Sequence, residues 1–314
     1  MMLRFSRISE LHELDQPLHL ALGVFDGVHR GHQAVIGAAV EGAQKSGGVA
    51  GVLTLEPHPV QVLSPERAPR RILASLDHKE RLLSGLGVEV MLVLRFDRGM
   101  ASQPAEEFAE EILAVPRLRQ LVAGEDWEFG RDRLGTMALL SREGERHGVE
   151  VSAVGSVMLR GERISSTRLR QVLCDGNLRA ASEMLGRPYT VMGTVEKGQQ
   201  FGRRLGAPTA NIAVGDEQLP PDGVYAVTAW CVEKKLQGVA NLGVRPTVDG
   251  ERRLLEVHLL DFEGDLYDAR MEVCFGSYVR GERQFEDFEE LREQIRRDVV
   301  EVRRLFAAGE AGCR

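Results

Sequence analysis

The chain has 314 residues, 43% of them hydrophobic and 28% charged, with a formal net charge of −7. That length favours two domains over a single core, and the composition is ordinary for a folded soluble protein. The acidic balance excludes a chain that binds polyanions over its whole surface. Any phosphate site must be built locally, from backbone N–H groups and a few chosen Arg or His. The four cysteines, Cys174, Cys231, Cys274 and Cys313, show neither C-x-x-C spacing nor a dense framework. They argue against a zinc site and a disulfide scaffold and fit a reducing, cytoplasmic compartment. Residues 1–14 carry Arg4, Arg7, Glu10 and Glu13 and no long apolar stretch, so neither a signal peptide nor a membrane span is expected.

The first half alternates strand-like and helix-like segments. Leu18–Gly23 is an apolar run that enters a Gly-rich turn, and Gln33–Ser46 is an Ala-rich helix stopped by Gly47–Gly48. Strand Val49–Leu55, helix Asp77–Gly85 and the apolar run Glu89–Phe96 follow. Helix Pro104–Ala114 has Pro104, Glu106 and Glu107 in its first turn, where Pro and acids are favoured. Strand Leu118–Ala123, helix Thr136–His147 and strand Glu150–Val154 complete the alternation. Apolar strands separated by helices imply βαβ units and a parallel sheet covered on both faces.

Two short helices, Ser166–Asp175 and Leu178–Leu185, precede Gly186-Arg187-Pro188, where the pattern changes. Beyond it strands dominate: Tyr189–Glu196, Val224–Val232, Leu236–Leu242, Leu254–Leu260 and Met271–Phe275. Turn-rich segments such as Pro220–Gly223 and Asp249–Gly250 join them, as in an antiparallel sheet or small barrel. A final helix over Phe285–Phe306 carries Phe288, Leu291, Ile295, Val299 and Val302 at helical spacing. The expected division is 1–185 and 186–314.

The strongest local signal is the string Gly23-Val24-Phe25-Asp26-Gly27-Val28-His29-Arg30-Gly31-His32, where the first strand hands over to the first helix. Ligands of open α/β sheets bind at the carboxyl ends of strands, and a helix N-terminus attracts phosphate. Gly27 and Gly31 allow close backbone approach, and His29 and His32 can donate to phosphoryl oxygens as charge builds there. The string is neither a dinucleotide fingerprint nor a Walker A loop. A plain turn remains open as a reading. A two-His metal site lacks accompanying carboxylates or Cys at ligand spacing. A second basic cluster, Arg163-Ile164-Ser165-Ser166-Thr167-Arg168-Leu169-Arg170, reads by itself as a capped helix with a solvated basic face. Paired with the first string, its hydroxyls and Arg can clamp a polyphosphate from the other side.

The His29-x-Gly31-His32 element after a first strand resembles the nucleotidyltransferase superfamily, which transfers AMP or CMP from a triphosphate. Taken with Glu56-Pro57-His58-Pro59, Gly124-Glu125-Asp126-Trp127-Glu128-Phe129-Gly130 and Ile164–Arg170, in that order, it resembles the FMN adenylyltransferase module of bacterial bifunctional riboflavin kinase/FAD synthetases. The resemblance implies a Rossmann-like domain. In it, His29 and His32 hold the ATP phosphates, and Gly23, Phe25, Asp26 and Gly31 shape the nucleotide cradle. Arg163, Ser166, Thr167 and Arg170 bind phosphate opposite. Asp126 falls near the nucleotide or flavin, and Pro57, His58, Pro59 and Phe129 border the flavin. Leu55 and Leu63 stand where relatives often have an aromatic residue.

In the second half, Lys197-Gly198 and Phe201–Asn211 form a Gly- and Arg-rich loop whose backbone can lie over phosphates, with Thr209 and Asn211 offering oxygens of the kind Mg²⁺ accepts. An ordinary barrel loop is the alternative. In the apolar run Leu254–Leu259, alternation puts Leu254, Glu256 and His258 on one face and Leu255, Val257 and Leu259 on the other. Glu256 then belongs either to a surface strip or to a site where a carboxylate takes a proton from an attacking hydroxyl. Together with Gly186–Tyr189, Pro221–Tyr225, Gly238–Thr247 and Leu255–Phe262, these segments resemble the riboflavin kinase module of the same family. The resemblance implies a small antiparallel β-barrel with a terminal helix and Glu256 as catalytic base. It gives Thr209 and Asn211 as ligands of Mg²⁺–ATP, and Gly198, Gly202, Arg203 and Gly206 around the nucleotide. Ala207 replaces a usual aromatic before the proline.

The expected activity is phosphorylation of riboflavin to FMN and adenylylation of FMN to FAD, each with ATP and Mg²⁺. The partners are small molecules, with no nucleic acid and no membrane. Two alternatives stand beside it. One is an adenylyltransferase for another phosphorylated substrate with a degenerate kinase half, against which Glu256, Thr209 and Asn211 argue. The other is a flavin-nucleotide sensor without turnover, against which His29 and His32 argue.

Overall fold

The computed structural model describes residues 2–67, 71–197, 207–231, 234–247 and 250–312. The chain divides into two compact units: 1–72 with 76–166, and 73–75 with 167–314. Helices α7 (Ser166–Cys174) and α8 (Leu178–Leu185) therefore belong, from Thr167 onward, to the second unit rather than the first.

The first unit is a parallel sheet in the order β1-β4-β3-β2-β5-β6, from strands Leu3–Phe5, Leu18–Leu22, Val49–Glu56, Val90–Arg95, Leu118–Gly124 and Glu150–Val154 in chain order. β2 is buried along its whole length, as expected of a strand with helices on both faces. Its alternate side chains feed two cores. Leu18, Leu20 and Leu22 pack with Phe108 and Ile112 of α5 (Ala105–Leu113) and Leu140 of α6 (Met137–His147). Ala21 faces Val35, Ile36 and Ala39 of α1 (Arg30–Ser46) and Leu83 of α3 (Leu76–Ser84). Short helices α2 (Pro59–Leu63) and α4 (Arg98–Ala101) and a small hairpin of β7 (Met158–Leu159) with β8 (Glu162–Arg163) complete the unit. Gly47 ends α1 in the left-handed conformation at φ 65°, as its sequence signals.

In the second unit the strands β9 (Thr190–Glu196), β10 (Ala210–Ala213), β11 (Gly223–Cys231), β12 (Lys234–Thr247), β13 (Gly250–Leu259) and β14 (Arg270–Arg280) close an antiparallel barrel, β10-β13-β12-β11-β14-β9. α9 (Phe288–Ala307) follows, capped by Asp287, whose carboxylate accepts the Glu290 N–H at 2.8 Å. Asn211 is not in a loop as its composition suggests. Ala210–Ala213 is a strand held by β13 on one edge and β9 on the other. A four-residue strand has no periodicity of its own, so its neighbours define it.

Candidate active sites

The order of the parallel sheet fixes where a ligand can sit. The chain leaves β2 for β3 and β4 on one side and returns to β5 on the other, so the switch point lies beyond the carboxyl ends of β2 and β5. The Gly23–His29 loop leaves β2 there, and Gly124–Gly130 leaves β5. Glu56–Pro59 leaves the same end of β3, through a cis Glu56–Pro57 peptide. Three of the four strings singled out in the first half thus emerge at one edge of the sheet.

The β2 loop is tightly wound. Phe25 and Val28 hold φ of 52° and 44°, and Gly27 φ of 81°. A β-branched residue in that region is a true outlier, and such strain gathers at functional sites. His29 caps α1, its Nδ1 accepting the His32 backbone N–H at 3.3 Å. A neutral His29 ring therefore carries its proton on Nε2. The two imidazoles stack with centroids 3.6 Å apart, and Phe25 meets His32 edge-on at 5.5 Å. A Cβ at Gly31 would stand 3.1 Å from the His29 ring, closer than ordinary van der Waals contact. His32 Nδ1 is enclosed without a hydrogen-bond partner. Burial, helped by the charges of His29, Lys79 and Arg163, holds the His32 pKa well below its ordinary value.

Ser166 Oγ donates to the Asp26 carbonyl at 2.9 Å, a bond within the first unit. Arg163 forms an ion pair with Asp126 at 2.7 Å, both side chains about half exposed. Six expected site residues thus fall into three contacting pairs: Asp26 with Ser166, His29 with His32, and Asp126 with Arg163. Thr167 and Arg170 follow Ser166 on α7. His58 caps α2, accepting the Val60 N–H at 3.2 Å, with Pro57 and Pro59 on either side. Phe129 is packed inward, 7% exposed, against Phe108 with ring centroids 5.5 Å apart. Two participants went unmarked in the sequence. Lys79 Nζ, buried on α3, donates to the Val24 carbonyl at 2.9 Å and lies 3.4 Å from Thr54 Oγ1, which itself donates to Val24 at 2.9 Å. The available signal was a lysine within the apolar stripe of a helix, one turn from Leu83.

In the barrel, Glu256 is the centre of a cross-strand row. It stands directly opposite Asn211 of β10 on one side and Asn241 of β12 on the other. Directly paired residues share a face and stand about 5 Å apart at Cβ. Leu255 and Val257 point inward, both fully buried, so Glu256 and the two amides face outward from the barrel core. Thr209 immediately precedes β10, and His258 Nδ1 is 2.9 Å from the Pro208 carbonyl, which fixes the approach to that strand. The oxygen-only set of Thr209 and Asn211 beside a carboxylate fits a hard cation such as Mg²⁺. Among the described residues no group of three or more His, Cys, Asp or Glu converges as a metal site. Gly198, Gly202, Arg203 and Gly206 lie outside the described residues. Asn241 was quoted in the sequence only as part of a string, because its tie to Glu256 depends on strand register.

Residues 11–168 match the FAD synthetase family and residues 185–306 the riboflavin kinase family. The bifunctional riboflavin kinase/FMN adenylyltransferase of Escherichia coli (strain K12) is 40% identical over 289 residues, 91% of this chain and 92% of its own. The protein of the same name in Bacillus subtilis (strain 168) is 35% identical, over 92% of each chain. The chain belongs to the bifunctional riboflavin kinase/FMN adenylyltransferase family. A solved structure described as a macrolide-efflux protein from Streptococcus pneumoniae shares the family fold, with a TM-score of 0.82 at 31% identity over 96% of this chain and 98% of that one. Among the described residues of this family member, no helix is long and apolar enough to cross a membrane.

Proposed function

We propose that this chain, acting in the cytoplasm, phosphorylates riboflavin to FMN with its barrel and adenylylates FMN to FAD with its parallel-sheet unit, using ATP and Mg²⁺ in both. The functional division is taken at 185/186. The observation that carries the reading is the presence in one chain of both constellations: stacked His29 and His32 at the α1 N-terminus, and Glu256 between Asn211 and Asn241.

In the adenylyl transfer, an FMN phosphate oxygen attacks the α-phosphorus of ATP in line and pyrophosphate leaves. His29 and His32 donate to the phosphoryl oxygens as charge accumulates, and the free N–H groups of α1 add to that field. Arg163, Ser166, Thr167 and Arg170 bind phosphate, while Pro57, His58, Pro59 and Asp126 border the flavin or nucleotide. Phe129 contributes from beneath, by anchoring the loop that carries Asp126. No covalent intermediate is required, and positioning with charge neutralisation supplies the rate. In the kinase step, Glu256 accepts the proton of the riboflavin ribityl hydroxyl as that oxygen attacks the γ-phosphorus, and ADP leaves. Thr209 and Asn211 would hold Mg²⁺, which when bound neutralises the phosphate charge.

The test is an endpoint assay of the purified chain with riboflavin, ATP and Mg²⁺, resolving riboflavin, FMN and FAD by chromatography. FMN followed by FAD is expected. FMN alone removes the assignment of the first unit. No conversion of riboflavin or of added FMN, with reducing conditions tried, overturns both halves.

A further inference from the structure

A buried lysine needs a reason, because removing an ammonium from water is costly unless it is paired. Lys79 is 3% exposed, on the face of α3 that packs against the sheet. Its Nζ reaches past that core to the Val24 carbonyl, at the entrance of the loop in which Phe25, Gly27 and Val28 all have positive φ. Thr54, fully buried on β3, donates to the same carbonyl. The turn leading into the His29 cap is therefore fastened from below at one point, by a hydroxyl and an ammonium.

We infer that Lys79 is a positioning residue of the adenylyl-transfer site: by pinning the Val24 carbonyl it holds the wound Phe25–Val28 turn in the shape that aims His29, His32 and the α1 N-terminus at the nucleotide. The inference rests on the proposed role of that site. Its parts are connected on the page. Strain in the turn favours relaxation, and an anchor at its first carbonyl opposes it. Release would let the N-cap shift by a fraction of an ångström, and a misplacement of that order is enough to slow an in-line transfer.

The lysine also acts by charge. The charged groups acting on His32 are His29 on the same loop, Lys79 on α3 and Arg163 on β8, and all three hold its pKa down. Burial draws Lys79 itself below its ordinary value, while the carboxylates of Asp26 and Glu56 oppose that and favour the ammonium. Lys79 thus adds to burial and to His29 in holding the His32 pKa down. Loss of the lysine charge removes one of the contributions that lower the His32 pKa, while burial, His29 and Arg163 remain, so the acid limb of the rate profile shifts upward from its parental position.

The experiment compares K79M, K79Q and H32A with the parent chain in FMN-to-FAD conversion across pH, with riboflavin kinase activity and thermal unfolding measured alongside. K79M is expected to lower kcat for FAD formation about 100-fold, the size of a small misplacement. KM for ATP stays within a few-fold, the acid limb moves to higher pH, and kinase activity is retained. K79Q keeps an N–H for Val24 without the charge. It recovers part of kcat yet keeps the shifted acid limb. Should K79M not fold, K79Q carries the test. Parental kcat and parental pH profile in the Lys79 variants, with H32A inactive, overturn the inference and leave the site reading standing. A rate loss matched by equal loss of kinase activity and of melting temperature, with an unmoved acid limb, marks a purely structural lysine and also overturns it. An active H32A defeats the site reading itself.

Discussion

Replacing Glu256 with Gln removes one charge and one proton acceptor from the middle of β13. The structure sets the size of each consequence. The flanking Leu255 and Val257 are fully buried and hold the strand's register against β10 and β12. Gln is the same size and can still meet Asn211 and Asn241, so stability should change by less than about 1 kcal/mol. What is lost is the base. A positioned general base contributes about 10²- to 10⁴-fold, so the barrier to phosphoryl transfer should rise by roughly 3–5 kcal/mol. FMN formation from riboflavin should fall by that factor, with FMN-to-FAD conversion unchanged, because His29 and His32 belong to the other compact unit. The assay is chromatographic resolution of the three flavins from steady-state reactions, started separately with riboflavin and with FMN. An E256Q enzyme that forms FMN within about 10-fold of the parent rate removes Glu256 as base. An E256Q enzyme that loses both activities while still folded refutes the division into two sites.

H32A should show the reverse pattern, FAD formation lost and FMN formation kept, checked by the same pair of reactions. G23A should cost about 1–3 kcal/mol, because its new methyl would lie 2.8 Å from the buried Phe25 ring that abuts His32; FAD formation should fall with it, as read by thermal melts and flavin chromatography. His32 has a depressed pKa in the folded state, so between that value and about 6.5 the unfolded chain binds a proton the folded chain refuses. Stability from this group is complete above about pH 6.5 and declines as pH falls through that window, by up to about 1.4 kcal/mol per pH unit. Denaturant titrations at pH 7.5 and 5.5 should show a smaller acid loss in H32Q than in the parent. Asp298 is buried and accepts both Arg280 Nε at 2.9 Å and the second guanidinium nitrogen at 2.7 Å. D298A leaves that arginine partly buried and unpaired, and should cost about 2–4 kcal/mol by denaturant unfolding.

Much of the fold was legible because its signals are local. β2 reads as an apolar run before a Gly-rich turn, and α1 ends at the Gly47 its sequence announces. Elements shorter than one period were not legible. β1 has three residues and takes its identity from parallel pairing with β4. β10 has four and takes its own from two antiparallel neighbours. The same limit applies to the sites. The chemistry-bearing types in Gly23–His32 and at Glu256 stand out in the string, whereas the Asn241–Glu256 pairing is set by register and the Lys79–Val24 bond by tertiary packing. Segments without a motif also gained a reason. The Ser75 N–H and the Met192 N–H share the carboxylate of the fully buried Glu217, at 2.8 and 3.0 Å. Arg280 is held by Asp298 from the middle of α9.

The two units meet the same difficulty, handling polyphosphate on a chain of net charge −7, by different means. The parallel sheet supplies a helix N-terminus, whose field comes from the backbone, and sets the stacked rings of His29 and His32 beside it. Burial, helped by the charges of His29, Lys79 and Arg163, holds the His32 pKa well below its ordinary value and so favours its neutral form. The barrel sets the Glu256 carboxylate between the directly paired Asn211 and Asn241. On the proposed reading, a cation bound with the nucleotide balances the charge at the phosphates, and Thr209 and Asn211 would offer it oxygen donors. Omitting Mg²⁺ should therefore stop the kinase step in a way that no substitution near His32 can reproduce.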